Sequence, residues 1–321
     1  MHRSRSAFTL MEVLVVIAVL VMLITLAMPA IQHARSSARR ATCQNQLRQL
    51  GVAVLLHESA VGYFPTGGWG GVWVGDADRG FDNRQPGGWV FNVLPFIEEK
   101  PLHDAGAGMD ASSKAMAIAA RLVTPVAVFN CPERRAAGAY PLVRPLTNQP
   151  RQSSAVKVAA RSDYAMNAGA QHRCECRGIL LTRPKSMEEG DAKGFPWPDT
   201  SDMSGVSFLR SEIRLGSIER GLSKTYLLGE KSLSQNEYGS GTAHGDDWSM
   251  YTGYQDDVYR STSKASGFQR DITLNESYVM ECGFGSAHAS GAYMAFCDGA
   301  VVLQSFNVEA DIHEAHGSRS W

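Results

Sequence analysis

The sequence predicts an α+β protein: a long N-terminal helix, transmembrane in its first half and amphipathic in its second, packed on a head of mostly antiparallel β-sheet. Three observations carry this. An apolar run from Phe8 to Met28 holds one charge, Glu12, and apolar residues then recur at helical spacing as far as Val54. Beyond Gly62 the chain breaks into short apolar segments separated by Gly, Ser, Asn and Asp clusters, the pattern of brief strands and turns. Glycine accounts for 31 of 321 residues, above the usual share of about 7%, which favours turns over a helical bundle. A content of 44% apolar and 20% charged residues is that of a folded protein. The net charge of −1 lacks the basic excess of proteins that grip phosphates, so no nucleic-acid partner is expected.

The elements follow in order. Phe8 to Met28 is 21 residues, about 31 Å of helix, which matches a hydrocarbon core of about 30 Å. A secretory signal also begins with a basic leader such as Arg3 and Arg5. Its apolar core is shorter, however, and no A-x-A cleavage site follows here. Arg35, Arg39 and Arg40 beyond the span outnumber the two leader arginines, so the count of basic residues does not set the orientation. A carboxylate near the bilayer centre costs roughly 2.5–3.5 kcal/mol, so Glu12 calls for a partner or a role. After Pro29, which is expected to bend the rod rather than end it, Cys43, Leu47, Leu50 and Val54 recur at intervals of four, three and four. They define one helical face, and Gly62 ends it.

In the head, Trp89–Ile97 reads as a strand or a short buried helix. Asp110–Val123 is the one later segment that reads as a good helix, capped by Asp110 or Ser112 and stopped at Thr124-Pro125. Residues 133–161, rich in Ala, Arg and Pro, read as a surface connection. Strands are expected at Gly178–Arg183, Val206–Arg214, Thr225–Glu230, Trp248–Tyr254, Tyr278–Cys282, Ala292–Cys297 and Ala300–Phe306. The last two flank Asp298-Gly299, which reads as a two-residue type I′ turn.

Candidate chemistry is sparse. Asp76, Asp78 and Asp82 alternate along a loop in a way that suits Ca²⁺, without the later bidentate Glu of an EF-hand. His244, Asp246 and Asp247 form a second polar cluster, and Trp69, Trp73 and Trp89 offer a platform for stacking sugars. If the head lies outside the cytoplasm, Cys282 and Cys297 are placed to bridge neighbouring strands, and Cys43 to tie the helix to Cys131. Cys174 and Cys176 are too close for an easy mutual bridge. Six cysteines allow fifteen full pairings, so the connectivity stays open. No nucleotide loop, nucleophile elbow or zinc-protease helix is present, so no catalysis and no obligatory cofactor are expected.

Ala7-Phe8-Thr9-Leu10-Met11-Glu12, followed by the apolar helix and Pro29, resembles the processing segment of type IV prepilins and type II secretion pseudopilins. The resemblance implies cleavage between Ala7 and Phe8 by a prepilin peptidase and N-methylation of Phe8. It also implies assembly with self or other pilin-like subunits, with Glu12 neutralising a neighbour's terminal amine. Ala7 stands where that family usually has Gly. On this reading residues 1–7 are a leader, 8–61 the helix and 62–321 an extracytoplasmic, pilin-like head on a single-pass inner-membrane protein. The head carries a second resemblance. His288, Gly291, Asp298 and Gly299 fit the prepilin-type H-x(9)-D-G pattern of the bacterial family of unknown function numbered 1559. In order along the chain, Cys43 to Gly51, Gly62 to Pro65, Trp89 to Glu98, Phe129 to Pro132, Tyr164 to Asn167 and Gly221 to Glu230 are similar to that family as well. The family brings no activity with it. The competing expectation is a membrane-anchored module whose head binds a carbohydrate or other extracellular ligand without forming filaments.

Overall fold

The computed structural model describes residues 10–143, 149–170, 183–272 and 282–321. The leader, Ala7, Phe8, Cys174 and Cys176 lie outside the described residues, as do nearly all of the strands expected at Gly178–Arg183 and Tyr278–Cys282.

Helix α1 runs from Leu10 to Val61 and passes through Pro29 without interruption, ending one residue before Gly62. The head then folds through α2 (Trp89–Val93), α3 (Lys100–His103), α4 (Ala111–Val123), β1 (Ala139–Pro141), β2 (Val158–Ala160), β3 (Tyr164–Gly169) and α5 (Met187–Asp191). It continues through β4 (Tyr226–Glu230), β5 (Tyr259–Ser261), β6 (Phe268–Arg270), β7 (Phe284–Ser286), β8 (Gly291–Phe296), β9 (Val301–Ser305) and α6 (Ala310–Gly317). The central sheet has the order β5-β3-β4-β8-β9 and is antiparallel except for the β3/β5 edge. The α+β class is as the sequence predicts.

The sheet works as a divider. Along β8, Tyr293 and Ala295 face one core with Leu47, Leu50 and Val54 of α1, and Met294 and Phe296 face another with Tyr226 and Phe284. This alternation is the two-residue period of a strand buried on both faces. α6 covers the second face, where His313 stacks on Phe268 at 4.3 Å.

Several local expectations are met. Asp110 caps α4, its carboxylate accepting from the Ser112 and Ser113 amides at 2.9 and 3.1 Å. Trp89–Ile97 resolves as helix α2 followed by a 3-10 turn. Others are corrected. Val206–Arg214 and Trp248–Tyr254 are irregular. Around the latter, the Gly253 amide donates to Trp73 O and Thr252 bridges Val74, so those backbone groups are satisfied outside any strand. Residues 133–161 are not a plain surface connection, because they contribute β1, β2 and the buried Arg134 and Arg135. α6 is a further helix that the sequence did not disclose.

The β8–β9 hairpin is present, but its turn differs from expectation. Phe296 N donates to Ala300 O and Gly299 N to Phe296 O, closing a three-residue loop over Cys297, Asp298 and Gly299. Only Gly299 takes positive φ, at 87°. This is a type I turn with a glycine bulge, and the Asp298 carboxylate accepts from the Ala300 amide at 2.9 Å.

Candidate functional site

Two parts of α1 behave differently. From Leu10 to Ile31 every large apolar side chain is exposed. Glu12 lies in the first turn among Leu10, Met11, Val13 and Val16. Among the described residues no α1 side chain is buried before Cys43. From there Cys43, Leu47, Leu50, Ala53, Val54 and His57 sink into the head. The i, i+4, i+7, i+11 face read from the sequence is the buried one.

The junction is latched. A disulfide joins Cys43 of α1 to Cys131, with Cα atoms 5.2 Å apart. Around it, Tyr164 Oη donates to Cys43 O at 3.3 Å and to Gln46 Oε1 at 3.1 Å, and Gln46 Nε2 donates to Ala127 O at 3.0 Å. Arg39 pairs with Glu133 at 2.5 Å on the outer side. Burial, chiefly, holds the Tyr164 phenol well above its ordinary value, so it donates throughout the working pH range.

Behind Cys131 lies a buried ionic cluster that sequence reasoning missed. The Cys131 amide donates to Asp163 at 2.9 Å. Asp163 meets Arg134 and Arg135, Arg134 reaches on to Asp271, and Arg135 and Lys231 both hold Asp246. Burial alone would lower the Arg134 guanidinium, but the Asp271 and Asp163 carboxylates outweigh it and hold it well above its ordinary value. Lys231 ends below its own, because burial outweighs the attraction of Asp246 and Asp257. The only local trace of it in the sequence is the adjacent pair Arg134-Arg135, set in a segment whose composition reads as exposed.

The residues of the H-x(9)-D-G pattern occupy both ends of β8. His288 is buried, with Nε2 3.2 Å from Glu230 Oε1 and 4.0 Å from Cys131 Sγ. A Cβ added to Gly291 would lie 2.1 Å from Gln304 O, so β8 and β9 approach as closely as they do only with glycine there. Asp298 and Gly299 turn the chain at the other end, and the tip lies against Leu55 of α1. The pattern therefore frames the strand on which α1 rests.

The acidic loop is answered by protein cations. Lys114 Nζ lies 3.0 Å from Asp76 and 2.5 Å from Asp78, whose carboxyl is held below its ordinary value chiefly by that lysine; Asp82 pairs with Arg84 at 2.7 Å. Asp76 and Asp78 thus share one lysine, with the Asp78 amide also donating to the Asp76 carboxylate at 3.0 Å, while Asp82 takes a separate arginine. In the second polar cluster, Asp246 is likewise committed to Arg135 and Lys231. The tryptophan platform is corrected: Trp69, Trp73 and Trp89 are all buried, Trp69 packs on Trp73 and Trp197, and Trp89 donates to Val258 O at 2.8 Å. Cys282 and Cys297 do not bridge; both are buried, and burial chiefly drives the Cys297 thiol far above its ordinary value.

Comparison with known families gives two matches. The model described as "Protein of unknown function (DUF1559)" matches residues 32–311. The model described as "Prokaryotic N-terminal methylation motif" matches residues 2–28. No curated protein matches the chain, and no solved structure does.

Proposed function

Because the chain belongs to the DUF1559 family of proteins of unknown function and opens with a prokaryotic N-terminal methylation motif, we propose that it is a pilin-like structural subunit that assembles through α1. A prepilin peptidase cuts between Ala7 and Phe8, Phe8 is N-methylated, and the first half of α1 anchors the protein in the inner membrane. The head stands on the extracytoplasmic side and acts without catalysis. Released into a filament, the same half-helix packs against other pilin-like subunits.

The observation that carries this reading is the unburied first half of α1, a continuous apolar surface that, among the described residues, no part of the head covers. Such a surface is stable in lipid or against other apolar helices. In either setting an ionised Glu12 is costly unless countered, and a terminal amine on the next subunit is the counter-charge that processing creates. The anchored carbohydrate-binding alternative loses its sequence basis, since the three tryptophans are core residues.

Intact mass and N-terminal sequencing of the native protein test the processing step: a chain starting at methylated Phe8 supports it, and a retained Met1 contradicts it. Glu12→Ala should leave membrane insertion unchanged and lower incorporation into assemblies roughly 100-fold, the equivalent of about 3 kcal/mol. Normal incorporation of that variant, read by crosslinking in membranes, would refute the pairing mechanism.

A further inference from the structure

The disulfide is half of a larger constellation. Cys43, Cys131, His288 and Glu230 each offer one potential ligand atom, all four atoms within 4.8 Å of one another and all four residues buried. They come from four separate places: α1, the turn after Phe129, the end of β4 and the loop before β8. We propose that, when the disulfide is reduced, these four side chains form a tetrahedral site for a zinc-type divalent cation, so that the junction between α1 and the head has two alternative closures.

The chemistry balances simply. A dithiol, oxidised to its own disulfide, or a phosphine with water, oxidised to the phosphine oxide, supplies two electrons and two protons; the S–S bond breaks and each sulfur takes a proton. Cation binding then releases both thiol protons, leaving two thiolates, one neutral imidazole nitrogen and one carboxylate oxygen around the metal. Sulfur and imidazole donors select a borderline-soft ion over Ca²⁺ or Mg²⁺, and four donors suit a closed tetrahedral site. At a metal–sulfur distance of about 2.3 Å the two sulfurs of such a site stand about 3.8 Å apart. That lies within the reach of side chains whose Cα atoms are 5.2 Å apart.

The surroundings favour the second closure. Glu230 Oε2 already accepts from the Tyr293 amide at 2.8 Å, which fixes the carboxylate and leaves Oε1 toward the cluster. Holding a ligand's other oxygen in this way is what outer partners do in metal sites. His288 Nε2, the nitrogen nearest Cys131 Sγ, is the one that points inward. In the oxidised chain the sulfurs are bonded to each other and the site is closed to metal.

The test uses the full chain in detergent with Cys174→Ser and Cys176→Ser, which removes a competing pair of close-spaced thiols. It is unfolded, reduced with a phosphine and refolded without oxygen in the presence of Co²⁺. The expected result is one equivalent of Co²⁺ with the visible absorption of a tetrahedral thiolate complex, displaced by one equivalent of Zn²⁺ and absent from the oxidised protein. Cys43→Ser should abolish the signal, and His288→Ala, which keeps both sulfurs, should weaken binding at least tenfold. A reduced chain that regains native circular dichroism without the cobalt signal overturns the proposal. So does a reduced chain that stays unfolded with cobalt present, or binding untouched in both His288→Ala and Glu230→Gln.

Discussion

The first and second halves of α1 belong to one uninterrupted helix yet live by different rules. Between Leu10 and Ile31 the apolar side chains surround the helix and all are exposed; between Cys43 and His57 they form a stripe, and the stripe is buried. A helix apolar all round needs an apolar environment, whereas a striped helix needs only one partner face. In this chain the head supplies that face, and the first half must find its environment elsewhere. Length alone would not separate the two; the arrangement of apolar residues does.

Substitutions that treat the halves differently put this contrast at risk. The largest effect is expected at the latch. The disulfide spans 88 residues of sequence, and closing a loop of that size contributes about 4.6 kcal/mol. Cys43→Ser should lower the head's unfolding free energy by that amount in urea titrations of the detergent-solubilised chain, and a loss under about 1 kcal/mol would mean that the packing alone holds the junction.

Next comes a matched pair. Leu47→Ala opens a cavity in the core and should cost about 3 kcal/mol, while Leu20→Ala, with its side chain in detergent, should change head stability by less than about 0.5 kcal/mol. Equal effects would erase the distinction between the halves.

A smaller, pH-dependent effect belongs to the buried half. Burial chiefly lowers His57 from its ordinary 6.5 to about 4; its Nδ1 contacts Tyr63 O at 3.1 Å. As pH falls, the unfolded chain takes up this proton before the folded one does. The stability tied to a neutral His57 is therefore complete above about pH 6.5 and declines toward pH 4, by on the order of 2–3 kcal/mol. Thermal melts across that window should show a shallower acid decline in His57→Phe than in the parent.

The smallest effect is at the hairpin tip that leans on Leu55. Gly299→Ala forces a side chain into positive φ and should cost about 1 kcal/mol. A neutral result would show that the turn relaxes to another form without disturbing α1.

Much of this contrast was legible in the sequence, and what was not has physical reasons. The buried face of α1 and the Asp110 cap depend on local periodicity and local hydrogen bonding, which a single chain displays openly. The hairpin was legible in place but not in type. Asp-Gly suits both a two-residue turn and a three-residue turn with a glycine bulge, and the pairing of Phe296 with Ala300 decides between them. β3 was missed because Tyr164–Gly169 is buried on both faces, which removes the polar–apolar alternation that marks a half-exposed strand. Trp248–Tyr254 shows the reverse: strand-favouring residues whose amides bond singly to scattered acceptors, Met250 to Ala160, Thr252 to Ser249 and Gly253 to Trp73, rather than to one neighbouring strand. Lys114 beside Asp76 and Asp78 in the acidic loop, and Glu230 beside His288 near the junction, are contacts across long separations that no local pattern encodes.

The placing of the Cys43–Cys131 bond has a mechanical consequence. Cys43 is the first buried residue that a pull along α1 encounters on its way into the head. Tension travelling down the rod meets a covalent tie before it reaches Leu47 or any turn beyond. Residues 44–130 are then bypassed by the bond rather than peeled from their end, and a pull on the N-terminal helix reaches them only after a chemical bond gives way.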